Sequence, residues 1–133
     1  KKKKGKKKTF SLGFIMKDCY LKKNSEFQRV YANKKISGSK YITLFTAKNN
    51  RDYPRFGITT TKKIGNAVER NFARRRLKHL LRENSHKIKS GYDYVFVVKK
   101  DACDADFKDF RNSFFSVLKR QKKVIKWENF VCF

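Results

Sequence analysis

Apolar and polar positions follow two rhythms along this chain. Between Asn24 and Asn33, Phe27, Val30 and Tyr31 fall three and four residues apart, which puts them on one face of a helix. Ser25 followed by Gln28 fits a capping box at its start. The run Ile36-Ser-Gly-Ser breaks the pattern. From Tyr41 to Lys48 the period falls to two, so Ile42 and Leu44 point one way and Tyr41, Thr43 and Phe45 the other. Turn chemistry at Asn49-Asn-Arg-Asp leads to a second strand, Phe56 to Thr61, which reads as the hairpin partner of the first. Gly65-Asn66 opens a long helix from Ala67 to Asn84, and a third strand runs from Tyr92 to Val98. Asp104 reads as the N-cap of a last helix, in which Phe107, Phe110, Phe114, Val117 and Leu118 form a core stripe ending near Arg120. The order α-β-β-α-β-α predicts an α/β (α+β) two-layer sandwich.

Residues 1–18 read as a basic N-terminal tail or arm, 19–122 as a single domain, and 123–133 as a C-terminal tail. Within the arm, Phe10, Leu12, Phe14 and Ile15 leave open a short strand or an anchored segment. No apolar run is long enough to span a bilayer, and the basic start lacks the apolar stretch of a signal peptide.

Charge changes this picture most. The 133 residues hold 36 Lys and Arg against 11 Asp and Glu, a net charge of +25. Seven of the lysines lie in residues 1–8, so the remaining chain is itself strongly positive. Such a surface repels itself until a polyanion neutralises it, and nucleic acid is the first candidate. An anionic membrane and a secreted cationic toxin rank lower. The odd, widely spaced Cys19, Cys103 and Cys132 read as reduced thiols of a cytoplasmic protein.

The long helix carries the most information. Ala73, Leu77, Leu80 and Leu81 share one stripe and read as its buried side. On the next edge Arg70, Arg74, Lys78 and Arg82 step by four residues, with Asn71 and Arg75 beside them. A salt-bridged surface helix alternates signs, and like charges four apart cost a few tenths of a kcal/mol per pair. A ligand outside the chain must compensate, and arginines so spaced can hold phosphates through bidentate hydrogen bonds.

The run from Thr61 to Lys78, Thr-Lys-Lys-Ile-Gly-Asn-Ala-Val-Glu-Arg-Asn-Phe-Ala-Arg-Arg-Arg-Leu-Lys, resembles the signature of the bacterial ribonuclease P protein subunit. The flanks agree in order. Residues 21–31 resemble that family's first helix and its approach, 56–61 the strand before the signature, and 92–98 the last strand. The resemblance covers roughly residues 20–120. It implies a fold like domain 2 of ribosomal protein S5, with a left-handed β-α-β crossover against the usual rule. It also implies a protein that binds a catalytic RNA and helps it remove the 5′ leader of precursor tRNA, with Mg²⁺ doing the chemistry.

By motif position, Lys62, Lys63, Asn66, Arg70, Asn71, Arg74, Arg75 and Lys78 would contact the catalytic RNA. Mg²⁺, mainly bound by the RNA, would lie near Asn66 and Arg70. Phe27, Tyr31 and Phe45 would line the leader cleft, unless the first two simply pack as core. Aromatic side chains in a basic groove suit single-stranded RNA, since every base offers a stacking face. One position departs from the family's Arg-Asn-Arg. Phe72 follows Asn71, off the buried stripe, and Arg76 is the cation expected to substitute in part.

Chemistry by the chain itself has little to rest on. Asp101, Asp104, Asp106 and Asp109 cluster, but acids at a helix start offset the helix dipole. His79 and His86 lack a partner pattern, the cysteines lack zinc spacing, and no phosphate-binding glycine motif occurs. No catalytic residue, no side-chain metal cluster and no protein partner are expected. The alternative is a ribosomal or other structural RNA-binding protein. A helix-turn-helix DNA binder fits less well, because β residues and not a short helix precede the basic helix.

Overall fold

The structure, a computed structural model, describes residues 19–61 and 65–124. The expected arm (1–18), all but the first two residues of the expected tail, Lys62, Lys63 and Cys132 lie outside the described residues. The elements are α1 (Asn24–Ala32), β1 (Lys35–Gly38), β2 (Ile42–Lys48), β3 (Arg55–Thr60), α2 (Ala67–Asn84), β4 (Tyr92–Val98) and α3 (Phe107–Arg120).

The α/β class holds, with one strand added. β1 occupies the stretch read as a break and pairs antiparallel with β2 at the sheet edge. Its one large apolar side chain, Ile36, is 55% exposed, so no hydrophobic alternation marks it. Polar contacts dock it instead. Ser37 Oγ donates to Val117 O at 2.8 Å, and Gln121 Nε2 reaches Ser37 Oγ and Leu44 O, each at 3.1 Å.

The sheet order is β1-β2-β4-β3. β2 and β3 are therefore not a hairpin. β4 inserts between them, antiparallel to β2 and parallel to β3. β4 is buried at five of its seven positions, as a central strand covered on both faces must be.

The two faces differ. On one, α2 and α3 cover Ile42, Leu44, Phe56, Tyr94, Phe96 and Val98, forming the main core with Leu77, Leu80, Phe110 and Phe114. The expected stripe on α2 is buried: Ala73, Leu77, Leu80 and Leu81. Among the described helices α1 alone lies on the other face, and its Val30 packs with Leu21, Ala47 and Val95. α1 adds a partial third layer to the sandwich. The row Thr43, Val97 and Thr59, neighbours across three strands, stays half-exposed beyond it. Tyr41, expected beside Phe45, packs against the main core instead, because it precedes the first paired residue of β2.

A buried carboxylate fixes α1 over the sheet. Asp93 has no exposed side-chain surface. It accepts from Arg55 Nε at 2.9 Å and Nη2 at 2.8 Å, from Asn49 Nδ2 at 2.9 Å, and from Arg29 Nη2. Arg29 Nη1 also donates to Lys48 O at 2.9 Å, and Arg55 Nη1 to Glu26 Oε2 at 2.9 Å. The other Glu26 oxygen caps α1, accepting from the backbone N–H of Lys22 at 2.9 Å and Lys23 at 3.0 Å. The cap thus comes from Lys23 and Glu26, not from Ser25 and Gln28 as the sequence suggested. Likewise Asp106, not Asp104, precedes α3, because Lys100–Asp104 forms a 3₁₀ turn.

Asp93→Asn should cost about 3 kcal/mol, since it leaves two guanidinium groups facing a neutral amide. Urea unfolding with an unchanged slope would measure this, and a loss under about 1 kcal/mol would deny Asp93 that role. The N–H donors of Lys23 and Lys22, then Arg55, hold the Glu26 carboxyl down at about 2, from 4.5. A folded pKa below the unfolded one stabilises above pH 4.5, and that contribution is lost as pH falls through about 2. The stability gap between native chain and Glu26→Gln should therefore close between these two pH values; a gap constant with pH would contradict it.

Candidate nucleic-acid interface

α2 begins at a well-made cap. Asn66 Oδ1 accepts from the N–H of Glu69 at 3.0 Å, and Glu69 Oε1 accepts from the N–H of Asn66 at 3.2 Å. From there the structure brings Arg70, Asn71, Arg74, Arg75 and Lys78 to one outer edge, as the helical spacing predicted. Asn71, Arg75 and Lys78 are exposed; Arg70 and Arg74 are half-exposed. Among the described residues, no carboxylate pairs with Arg70, Arg74, Arg75 or Lys78. Arg70 Nη1 donates to Gly65 O at 2.7 Å, and Arg74 Nη1 to Asn71 Oδ1 at 3.4 Å. These contacts orient the guanidinium groups without neutralising them.

The row does not end at the helix edge. A groove of about 520 Å³ runs beside β3 and is lined by Arg74 and Lys78 on one side and Phe27 on the other. Tyr20, Leu21, Lys22, Gly57 and Ile58 complete it. Residues 19–21 lie along β3, with Leu21 N–H donating to Phe56 O at 2.8 Å. Lys78 Nζ stands 5.5 Å from the Tyr20 ring centre, and burial pushes the Tyr20 phenol up to about 12. Gly57 is required by close approach, since a Cβ there would meet the Phe27 ring at 2.5 Å. Tyr20, Lys22 and Gly57 were missed from sequence because the groove forms only where the segment before α1, β3 and α2 meet.

Phe27, Tyr31 and Phe45 do come together, each half-buried beside the smaller core. Tyr31 and Phe45 meet edge to face with centroids 4.9 Å apart. They pack beside the smaller core and border the half-exposed row of Thr43, Val97 and Thr59, a trough along the sheet face.

Arg76 does not serve as a spare cation of the row. It points the other way and donates to Ala102 O at 3.0 Å and Ala105 O at 2.7 Å. Its guanidinium lies against Phe72, Phe107 and Phe110, and burial pushes its pKa down from the usual arginine value.

The start of α2 does not fit a protein-held Mg²⁺. The Asn66 side-chain oxygen is taken up by the cap, and Arg70 would repel a cation. Among the described residues no three His, Cys, Asp or Glu side chains gather to hold a metal. The exposed Asp101, Asp104, Asp106 and Asp109 stay spread along the 3₁₀ turn and the start of α3. His79 pairs with Glu83 at 3.4 Å on the outer surface of α2. No described helix is long and apolar enough to cross a membrane.

The family model for ribonuclease P matches residues 15–122. The chain belongs to the ribonuclease P protein family. A ribonuclease P protein component from Clostridioides difficile is 44% identical over 101 residues, covering 75% of this chain and 89% of the relative. The solved Staphylococcus aureus ribonuclease P protein superposes with a TM-score of 0.74 at 30% identity, covering 80% of this chain and 97% of that one. The Thermotoga maritima protein gives 0.70 at 28% identity, over 76% and 96%. The family serves tRNA 5′ processing within a ribonucleoprotein endonuclease, in partnership with ribonuclease P RNA. The ribosomal alternative is not favoured.

The contrast between two adjacent arginines is testable. Arg76→Ala removes two hydrogen bonds and a packed guanidinium, and should lower Tm by about 5 °C or more. Arg75→Ala should leave Tm within about 2 °C, since surface substitutions rarely cost more. Thermal unfolding of both variants decides it, and equal shifts would place Arg76 outside the fold's support.

Proposed function

We propose that this chain is the non-catalytic protein subunit of ribonuclease P and that two of its surfaces divide the work. Asn66, Arg70, Asn71, Arg74, Arg75 and Lys78 hold the catalytic RNA, with Lys62 and Lys63 extending that contact by sequence position. The trough bordered by Phe27, Tyr31 and Phe45 holds the single-stranded 5′ leader of precursor tRNA. The groove between Phe27 and Lys78 joins the two, so leader and catalytic RNA meet on one continuous surface. The observation that carries this reading is the row of cations lacking a carboxylate partner among the described residues, opening directly onto half-buried aromatic side chains.

Each phosphate engaged by such a cation releases a condensed counterion, which favours binding and makes it salt-dependent. Half-exposed rings add stacking that does not read sequence, which suits leaders of any sequence. Bond cleavage falls to the RNA, with Mg²⁺ held there and not on α2. The setting is the cytoplasm, in keeping with the wide cysteine spacing.

End-labelled precursor tRNA, incubated at low Mg²⁺ with bacterial ribonuclease P RNA, should be cut at the mature 5′ end faster when this chain is added. The chain alone should cut nothing. Binding to the RNA should fall with salt with a log–log slope of several units, and Arg70→Ala or Arg74→Ala should lower it by about one unit each. A salt-independent affinity, or cleavage by the chain alone, would overturn the reading.

A further inference from the structure

Of the five large apolar side chains exposed among the described residues, Ile36 and Tyr53 stand apart and the other three gather. Val68 is 75% exposed, Phe72 44% and Phe107 38%. Val68 and Phe72 stand one turn apart on α2, and Phe107 opens α3 beside them. Single exposed apolar residues are ordinary, but a gathering of them marks a binding surface.

Arg76 organises this one. Its two backbone carbonyl partners fix the guanidinium, with Phe110 behind it at 5.1 Å. Phe72 and Phe107 rest against it at 5.0 and 5.7 Å. His79 lies 5.7 Å from Phe107. The Phe72 ring is thus backed by a fixed cation and still 44% exposed. An aromatic ring already held in place loses little freedom when it stacks. Along α2, Phe72 neighbours both Asn71 and Arg75, so the aromatic strip borders the cationic row without a gap.

We infer that Phe72, backed by Arg76 and flanked by Phe107, is a stacking platform for an unpaired nucleobase of the RNA held by the cationic row. The inference rests on the proposed RNA-binding function. A polyanion lying along Arg74, Lys78 and Arg75 passes beside the strip at Arg75, and a chain of charge +25 favours such a partner over a second copy of itself. The stacked base supplies affinity that salt does not screen, three residues along α2 from Arg75, whose contribution salt does screen.

The test measures binding of the full chain to a bacterial ribonuclease P RNA across a range of salt. Phe72→Ala should weaken binding about ten-fold, as loss of one stacked base does, with the log–log salt slope unchanged. Phe72→Trp should restore it, and Phe72→Leu, of similar bulk but without a π face, should not. Unchanged affinity in both Phe72→Ala and Phe72→Leu overturns the platform while leaving the RNA-binding function standing. Rescue by Phe72→Leu would make the surface merely apolar and overturn it too. If Phe72→Ala changes the sedimentation of the free chain while its RNA affinity stays native, the strip is an interface between protein copies, and the inference fails. If the native chain itself shows no salt-dependent binding, the parent reading fails and this inference with it.

Discussion

Asp93 sits without solvent contact between the guanidinium groups of Arg29 and Arg55. The chain has 11 acids to set against 36 bases, and it places this one where its charge reaches furthest. Through Arg29 the carboxylate holds α1 to the end of β2; through Arg55 it reaches Glu26 and so the cap of α1. A short helix with one buried residue could not hold its place by apolar packing alone. Its position then decides the trough. α1 covers the rows of the sheet nearest Asp93 and leaves Thr43, Val97 and Thr59 half-exposed.

The same scarcity of acids explains the outer edge of α2. Glu69 is spent on the cap, and Glu83 faces His79. Neither lies against Arg74 or Lys78. The helix forms despite its repeated like charges because its other side buries Ala73, Leu77, Leu80 and Leu81 in the main core. Packing on one side offsets repulsion on the other, and the repulsion is relieved when a polyanion arrives. Fold stability and binding are in this sense antagonists on a single helix.

Much of this was legible in the sequence, for a physical reason. Helix period and burial stripe are properties of one segment, so α2 and α3 were placed from spacing alone, and so was the cationic row. Strand partners are not properties of one segment. Two β-rich runs separated by turn residues look like a hairpin, yet β4, far along the chain, supplies the apolar faces that a central position needs. β1 escaped because polar bonds to Val117 and Gln121 hold it in place of a hydrophobic alternation. The groove at β3 escaped because Tyr20, Gly57 and Lys78 belong to three elements. Arg76 was misplaced because its angle on α2 says nothing about the 3₁₀ turn that waits there with two carbonyl groups. Its neighbour Phe72 was recognised as off the core, but not as resting on Arg76.

That last pair bears on how a protein can bind RNA tightly without binding every polyanion. Affinity built from lysine and arginine alone is shared by all nucleic acids and weakens together for all of them as salt rises. A ring exposed beside the cations changes the ranking. A duplex presents its phosphates to the row but keeps its bases stacked within, whereas an RNA with an unpaired base gains from both. The gain from the ring is insensitive to salt, so the preference for such an RNA persists as ionic strength rises, even while every absolute affinity falls. A phenylalanine rather than a cation at this position therefore exchanges some strength for discrimination. The exchange is possible only because Arg76 is turned inward to support the ring and is not left competing for phosphate.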